Sequence, residues 1–438
     1  MSGSIWAMSN RDQRSHAGVS VLLFSLMFAA QAGLIAISPV LADVAGEFRV
    51  STAEAGQTRT IAGLVAAVAA LMVSRASGRI ALEKQLLAGT TILALGALTS
   101  AAAPSFTALA LAQVLVGAGV GILTTAGTLA AAAWVTPERR SATLSWALIG
   151  QPAAWIVGLP LIGVLGGASW RFGWLVPALG AAIAAGLLLP RRFRAGGSAE
   201  LATQEGLRHA LADSRVSRWF TAEVLANSAW AGTLVFSGAL FVESYATSSA
   251  LAGVLLAVGA GTYVLGNMAF RRLVSHDASV LLSGLVLALA PITALFGAER
   301  SSLVLSTVLF SAAAFAAGAR TFVSSSFALA AAPNLRPALV AMRTSSMQIG
   351  YFAGSFIAGS ALTIGGYPAL GVVVGALFLA SAAVLSALPA AGRGVRAVVA
   401  SSAGKWSFGF SVPSRWRKAL SRCRSRRASS ALSSPFSC

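Results

Sequence analysis

Twelve stretches of this chain are long and apolar enough to cross a membrane as helices, and that feature governs everything else the chain can be. A span needs about 20 mostly apolar residues. Windows of that kind fall at 17–42, 56–74, 85–103, 106–133, 142–167, 172–190, 219–242, 249–270, 279–297, 302–330, 338–363 and 368–390. Inside hydrocarbon the backbone must satisfy its own hydrogen bonds, which such segments do as helices. The expectation is an all-α integral membrane protein with twelve transmembrane helices. Composition agrees: 10% of the 438 residues are charged and 56% apolar, against roughly 25% charged in a soluble domain. A soluble fold is excluded, and so is an outer-membrane barrel, whose strands alternate instead.

The spans divide into two sets of six. The organisation expected is an N-terminal tail (1–16), a first six-helix bundle (17–190), a polar central loop (191–218), a second bundle (219–390) and a basic tail (391–438). Arg11 and Arg14 precede the first span. That span is too long for a signal peptide and leads straight into another, so it reads as an uncleaved helix.

The net charge of +19 resembles that of a nucleic-acid binder until its distribution is laid out. With the N-terminus in the cytoplasm, 26 of the 32 Lys and Arg fall in cytoplasmic segments, six of them in the central loop and ten in the tail. Four lie at the outer side (Arg49, Arg59, Arg171 and Arg300), and Arg320 and Arg343 lie within spans. This is the positive-inside bias, with both termini cytoplasmic. The basic excess reads as topology and as attraction to anionic lipid, not to nucleic acid. The tail, serine-rich and without an acidic residue, is expected to be disordered near the membrane surface. The two cysteines, Cys423 and Cys438, both lie in it. They offer no disulfide framework or metal site, and lipidation and incidental thiols are the two readings, Cys438 as the last residue being no prenylation box.

The halves share a weak repeat at an offset of 196 residues. Pro137, Arg140 and Ala142 after the fourth span match Pro333, Arg336 and Ala338 after the tenth. In the same register Gly158 matches Gly354, and Gly163 matches Gly359. Parallel repeats of this kind put a pseudo-twofold axis along the membrane normal and a binding site between the halves.

Four stretches carry a resemblance to a known family. They are ISPVLADV at 37–44, SRASGRIALEKQLLAG at 74–89, QVLVGAGVG at 113–121 and VGLPLIGVLGGASWRF at 157–172. The chain over about 17–390 resembles the major facilitator superfamily, and within it the bacterial drug- and sugar-efflux proton antiporters. The fifth-span stretch is the most specific match. The resemblance implies two pseudo-symmetric six-helix bundles, alternating access, a monomer and, for a bacterial source, the inner membrane. In the loop after span 2 only Arg79 keeps its place in the family pattern, with Gly78 where that pattern has an acid. In span 4 the family's membrane-embedded arginine, implicated in proton coupling, is matched by Gln113. Arg79 and Gln113 are therefore gating or coupling candidates by resemblance.

Ionisable groups within spans are costly and become functional candidates by default. Glu223 is the leading proton-coupling candidate. The alternative is an interfacial residue facing cytoplasmic water. Arg320 and Arg343 admit three arrangements: pairing with Glu223, binding an anionic substrate group through their planar forks, or binding lipid phosphate. Arg59, Gln31, Asn227, Trp230, Tyr263, Asn267, Gln348 and Tyr351 complete the candidate cavity lining. Aromatics with a few polar groups suit an amphipathic organic solute. The alternatives are ordinary helix packing for the amides and an interfacial belt for Trp134, Trp170, Trp174 and Trp219. Gly150, Pro152, Gly158 and Pro160 crowd the fifth span and predict a bent, closely packed helix that fixes the contact between halves.

No Walker A loop, zinc motif or nucleophile elbow is present, so neither an enzyme nor an ATP-driven pump is expected, and no cofactor or metal. The expected function is secondary transport of a small organic solute by alternating access, most readily efflux in exchange for protons. A second reading keeps the fold and has Arg320, with Arg343 or Arg59, bind an organic anion. A third is a scaffold or sensor that does not transport.

Overall fold

The computed structural model describes residues 2–76, 79–135, 137–189, 204–270, 278–332 and 335–386. The basic tail, Pro190, residues 191–203 of the central loop, Gly78, Pro333 and the two tail cysteines lie outside the described residues. The described chain is helical and contains no strand. Ten of its helical runs are long and apolar enough to cross a membrane.

The first run is α1 (Ser2–Ile35), a 3-10 turn (Ser38–Val40) and α2 (Leu41–Phe48). Nothing in 2–16 breaks a helix, so α1 begins at Ser2 and the expected N-terminal tail is part of it. Pro39 has no N–H to give the preceding turn, which breaks the run where the ISPVLADV stretch falls. There follow α3 (Thr52–Ala76), α4 (Leu82–Ala101) and α5 (Phe106–Ala133). The fifth span is α6 (Pro137–Ala153), a π-turn (Ala154–Gly158) and α7 (Leu159–Ala168). Pro152 lacks the donor an α-helix needs, and the π-turn follows it directly, a local widening that commonly accompanies such a defect. The first half closes with α8 (Trp170–Gly173) and α9 (Leu175–Leu188).

In the central loop, α10 (Gln204–Ala212) precedes α11 (Ser214–Tyr245). The Asp213 carboxylate caps α11 by accepting from the Arg215 and Val216 amides at 2.8 and 3.3 Å. Then come α12 (Ser249–Ala269), α13 (Ala278–Ala298), α14 (Leu303–Ala331) and α15 (Arg336–Ser386). The last is two arms broken at Gly365 and Gly366, and Gly366 has φ 66° and ψ −161°, a region open essentially to glycine alone. The arms run in opposite directions. Along α11, Asn227 meets Gly350 and Gly232 meets Ala358, whereas Ala222 is bonded by Ser381 and Glu243 by Tyr367.

The repeat register describes the contact between the halves. A methyl added to Gly163 on α7 would lie 2.5 Å from the Ser249 carbonyl and 3.1 Å from the Gly253 Cα on α12. One added to Gly359 on the first arm of α15 would meet Gln57 and, at 3.4 Å, the Ala53 carbonyl on α3. Subtracting 196 from Ser249 and Gly253 gives Ala53 and Gln57, so both partners of the contact are related by the same offset. Backbones that approach this closely leave no room for side chains, which is why small residues occupy the crossings.

These crossings lie at the end of the bundle away from Ser2 and Ser386, where the described chain begins and ends. Hydroxyls and carboxylates join the halves there: Ser249 donates to Asp43, and Thr52 donates to Glu243, which also accepts from the Tyr367 hydroxyl at 2.8 Å. Gly238 of α11 sits against Ser38 and Pro39, where the first run is broken. Within the first half, Arg171 pairs with Glu47 at 2.7 Å and donates to the Ala101 and Ala103 carbonyls at 3.0 and 2.7 Å, while the Trp170 indole also donates to Glu47. The tail of the fifth-span stretch thereby ties the end of α4 to α2.

Candidate functional site

Glu223 and Arg320 form an ion pair inside the second half. The Arg320 Nη1 lies 2.5 Å from the Glu223 Oε1, and the two side chains are 2% and 5% exposed. Helix α11 begins at Ser214, so Glu223 is about 14 Å along it. Arg320 is about 17 Å from the end of α14 on the same side. The interfacial alternative for Glu223 does not hold, because the helix starts earlier than hydropathy suggests and the carboxylate is buried. Of the three arrangements open to Arg320, the structure adopts pairing with Glu223.

A burial this complete requires further hydrogen bonds. Ser324, one turn beyond Arg320 on the same face, donates to the Glu223 Oε1 at 2.7 Å and accepts from the Trp219 indole at 2.8 Å. The Arg320 Nη2 donates to the Asn227 Oδ1 at 2.8 Å, and the Asn227 amide donates to Ser346 at 3.1 Å. Ser346 bonds back to the Arg343 carbonyl at 2.7 Å. Arg343 itself is half-buried, and its backbone rather than its guanidinium joins this chain.

A second cation lies where the halves meet. Arg59 on α3 is 4% exposed. It donates to the Leu34 carbonyl, one of the acceptors freed where α1 ends, and sits 4.6 Å from the centre of the Tyr351 ring on α15. The Gln31 amide lies beside the same tyrosine hydroxyl. From there aromatic rings run into the second half. Trp155 meets Tyr263 edge-on at 5.5 Å, Tyr263 stacks with Trp230 at 6.1 Å, and Trp230 stacks with Phe310 at 6.3 Å. The Tyr263 hydroxyl donates to Thr321 at 2.9 Å, beside Arg320, and Asn267 donates to the Gly318 carbonyl at 3.4 Å. Trp155, Tyr263, Asn227, Asn267 and Thr321 are half-buried.

Gln31, Arg59, Asn227, Trp230, Tyr263, Asn267, Arg320 and Tyr351 are thus brought into one region by α1, α3, α11, α12, α14 and α15. Gln348 is buried one turn before Tyr351. Arg79 is exposed in the turn between α3 and α4, outside this region. Gln113 is buried and bonds Ser100 at 3.0 Å, so it fastens α5 to α4. Gly150 lets α6 approach α1, since a methyl there would lie 2.9 Å from the Phe28 amide. Gly158 closes the π-turn and Pro160 lies in the first turn of α7. A methyl on Gly158 would be 3.8 Å from Phe28, an ordinary contact, so the close crossing belongs to Gly163 instead. The belt reading of Trp134, Trp170, Trp174 and Trp219 fails, for all four are buried, and Trp170 and Trp219 donate to Glu47 and Ser324.

Sequence reasoning missed Ser324, Ser346 and Trp155. Ser324 carries a signal in its one-turn spacing from Arg320. Trp155 carries another: it is related to Tyr351 by the 196-residue offset, as Gln31 is to Asn227. Both register pairs sit in this region and cross or flank the contact between the halves.

The model of the family described as Major Facilitator Superfamily matches residues 23–319. No curated protein matches. Among solved structures, a bacterial homolog of the human lysosomal transporter Spinster, inward-facing and unoccupied, superposes with a TM-score of 0.68 at 16% identity over 89% of this chain and 94% of that one. A D-xylose–proton symporter gives 0.66 at 15% identity over 86% and 98%. The human organic anion transporter MFSD10 gives 0.62 at 15% over 84% and 99%. At these identities the likeness is one of fold.

Proposed function

The chain belongs to the Major Facilitator Superfamily and is therefore a membrane transporter, and from that premise we propose that it exchanges a small organic solute for protons through the Glu223–Arg320 pair. The buried pair is the observation that carries this reading. A carboxylate held by one guanidinium has two states. Ionised, it neutralises Arg320 and fixes α11 against α14. Protonated, it leaves a buried cation without a counter-charge, a penalty the protein relieves by rearranging or by admitting a solute. Arg320 bonds the half-buried Asn227, and on this reading a proton and a solute reach the pair past that side chain.

The contacts that close the end away from the termini suit the opposite half of an alternating-access cycle, in which the site opens on the terminal side. The outward direction of transport rests on the likeness of the fifth span to efflux antiporters. On the positive-inside arithmetic both termini are cytoplasmic. The reading places a monomer in the inner membrane of a bacterium, with the basic tail on anionic lipid.

The test uses liposomes holding the purified protein and a trapped pH dye, challenged with cationic, neutral and anionic organic solutes. At least one solute drives proton movement through the native chain. Glu223→Gln abolishes that movement while solute-for-solute exchange persists. Normal proton-coupled exchange by Glu223→Gln overturns the assignment.

A further inference from the structure

The buried charges of the described residues do not balance. They comprise Arg59, Arg320 and Glu223, and the carboxylate belongs to Arg320. Among the described residues Arg59 meets a carbonyl and a tyrosine ring and no acid. An arginine this deep at a contact between two mobile halves, with no acid beside it, is costly unless something supplies the missing charge.

The unpartnered polar atoms of this region point the same way. The Arg59 Nε, the Arg320 Nε and the indole nitrogens of Trp155 and Trp230 are buried and find no acceptor among the described residues, and the Gln31 Nε2 makes no well-formed hydrogen bond although it lies beside the Tyr351 hydroxyl. All five are donors. Arg59 and Gln31, from two helices of the first half, lie against one ring of the second half, Tyr351. Trp155, Tyr263 and Trp230 continue from there as a run of aromatic rings, Trp155 edge-on to Tyr263 and Tyr263 stacked with Trp230. A buried donor left unmade costs the full loss of its hydration, and a set that consists of donors alone is complementary to an oxyanion.

We propose that Arg59 and Gln31 form the head-group subsite for a monovalent aromatic carboxylate, whose ring lies along Trp155, Tyr263 and Trp230. One negative charge brings the buried interior to neutrality. A carboxylate has two acceptor oxygens, one for the Arg59 Nε and one for the Gln31 amide, and the half-buried Trp155 and Tyr263 are partners for an aromatic body. A cation is repelled by Arg59, and a neutral amide leaves the charge uncompensated. This deepens the transport reading and rests on it, naming the class of solute.

The experiment measures thermal stabilisation of the purified native protein by benzoate, salicylate, 1-naphthoate and indole-3-acetate, with benzamide and benzyltrimethylammonium as neutral and cationic counterparts. A ligand bound only by the folded state raises its apparent stability by mass action. The carboxylates stabilise and their counterparts do not. Arg59→Gln weakens carboxylate binding about tenfold or more, the worth of one charge-assisted hydrogen bond. Arg59→Lys retains part of it, since the charge stays and the fork is lost. Should Arg59→Gln not fold, Gln31→Leu, which removes a donor and no charge, decides by weakening the carboxylates alone. Equal or greater stabilisation by the amide or the ammonium compound, or no response to any carboxylate, overturns the proposal and leaves proton exchange standing. Carboxylate binding without exchange in liposomes overturns the transport reading and leaves the subsite.

Discussion

Arg320 and Glu223 show how a buried charge is made tolerable at the scale of single residues. The guanidinium has Glu223 on one nitrogen and Asn227 on another, and Ser324 turns the Trp219 indole toward the carboxylate. Removing one member leaves the other as an uncompensated charge, and breaking such pairs costs about 3–5 kcal/mol. Arg320→Ala is therefore expected to lower thermal stability in detergent strongly. The double variant Arg320→Ala with Glu223→Ala recovers a substantial part of the loss, because no charge is stranded. A cycle in which the two single losses simply add would mean that the side chains do not interact. Arg59 follows a different rule. It satisfies a helix end and a ring face, and its charge is left for something outside the described chain to balance.

At the scale of elements, the crossing of α7 and α12 is a close backbone link between the halves for which no polar side chain is needed. A side chain at Gly163 collides with the Ser249 carbonyl and the Gly253 backbone. Overpacking of this kind costs about 1–3 kcal/mol, here charged to the state in which the far end is closed. At ~1.4 kcal/mol per factor of ten, Gly163→Val shifts the balance toward opening at that end by roughly five- to a hundredfold. A single cysteine placed at Gln57, in a background with Cys423 and Cys438 replaced by serine, reports it. An impermeant maleimide added from the far side labels that position faster in Gly163→Val than in the parent. An unchanged rate would show that the crossing does not seal that end. The fifth span illustrates the limits of a pattern. Pro152 produces the expected irregularity as a π-turn, whereas the close approach falls at Gly163, one register position later in the same stretch.

For the molecule as a whole, the two halves are held at the far end by carboxylates from each side: Asp43 from the first half toward Ser249, and Glu243 from the second toward Thr52. Alternating access requires these contacts to part in every cycle. Thr52→Cys with Glu243→Cys, joined by a short reducible bis-thiol reagent, is expected to stop exchange completely, and reduction to restore it. Exchange that continues through the cross-linked protein would exclude the rocking motion. The same contacts explain why small residues recur at the offset of 196: Gly163 with Ser249 and Gly253, and Gly359 with Ala53 and Gln57, are one contact made twice.

The helices, their approximate number and the division into two like halves are legible in the sequence, since hydrocarbon leaves the backbone no alternative to helices. So are the chemically costly residues: Glu223, Arg320 and Arg59 stand out because so few ionisable groups enter spans at all. Their partners do not. Serines and tryptophans are common in membrane helices, so nothing marks Ser324 or Trp219 until the helices are laid side by side, and hydropathy begins the seventh span too late to show how deep Glu223 lies. Which arginine takes the carboxylate and which is left with a bare charge depends on the angle at which each helix meets its neighbours. Sequence periodicity carries the face of a residue along its own helix, whereas pairing is decided by distances between helices far apart in the chain, and only the tertiary structure contains those.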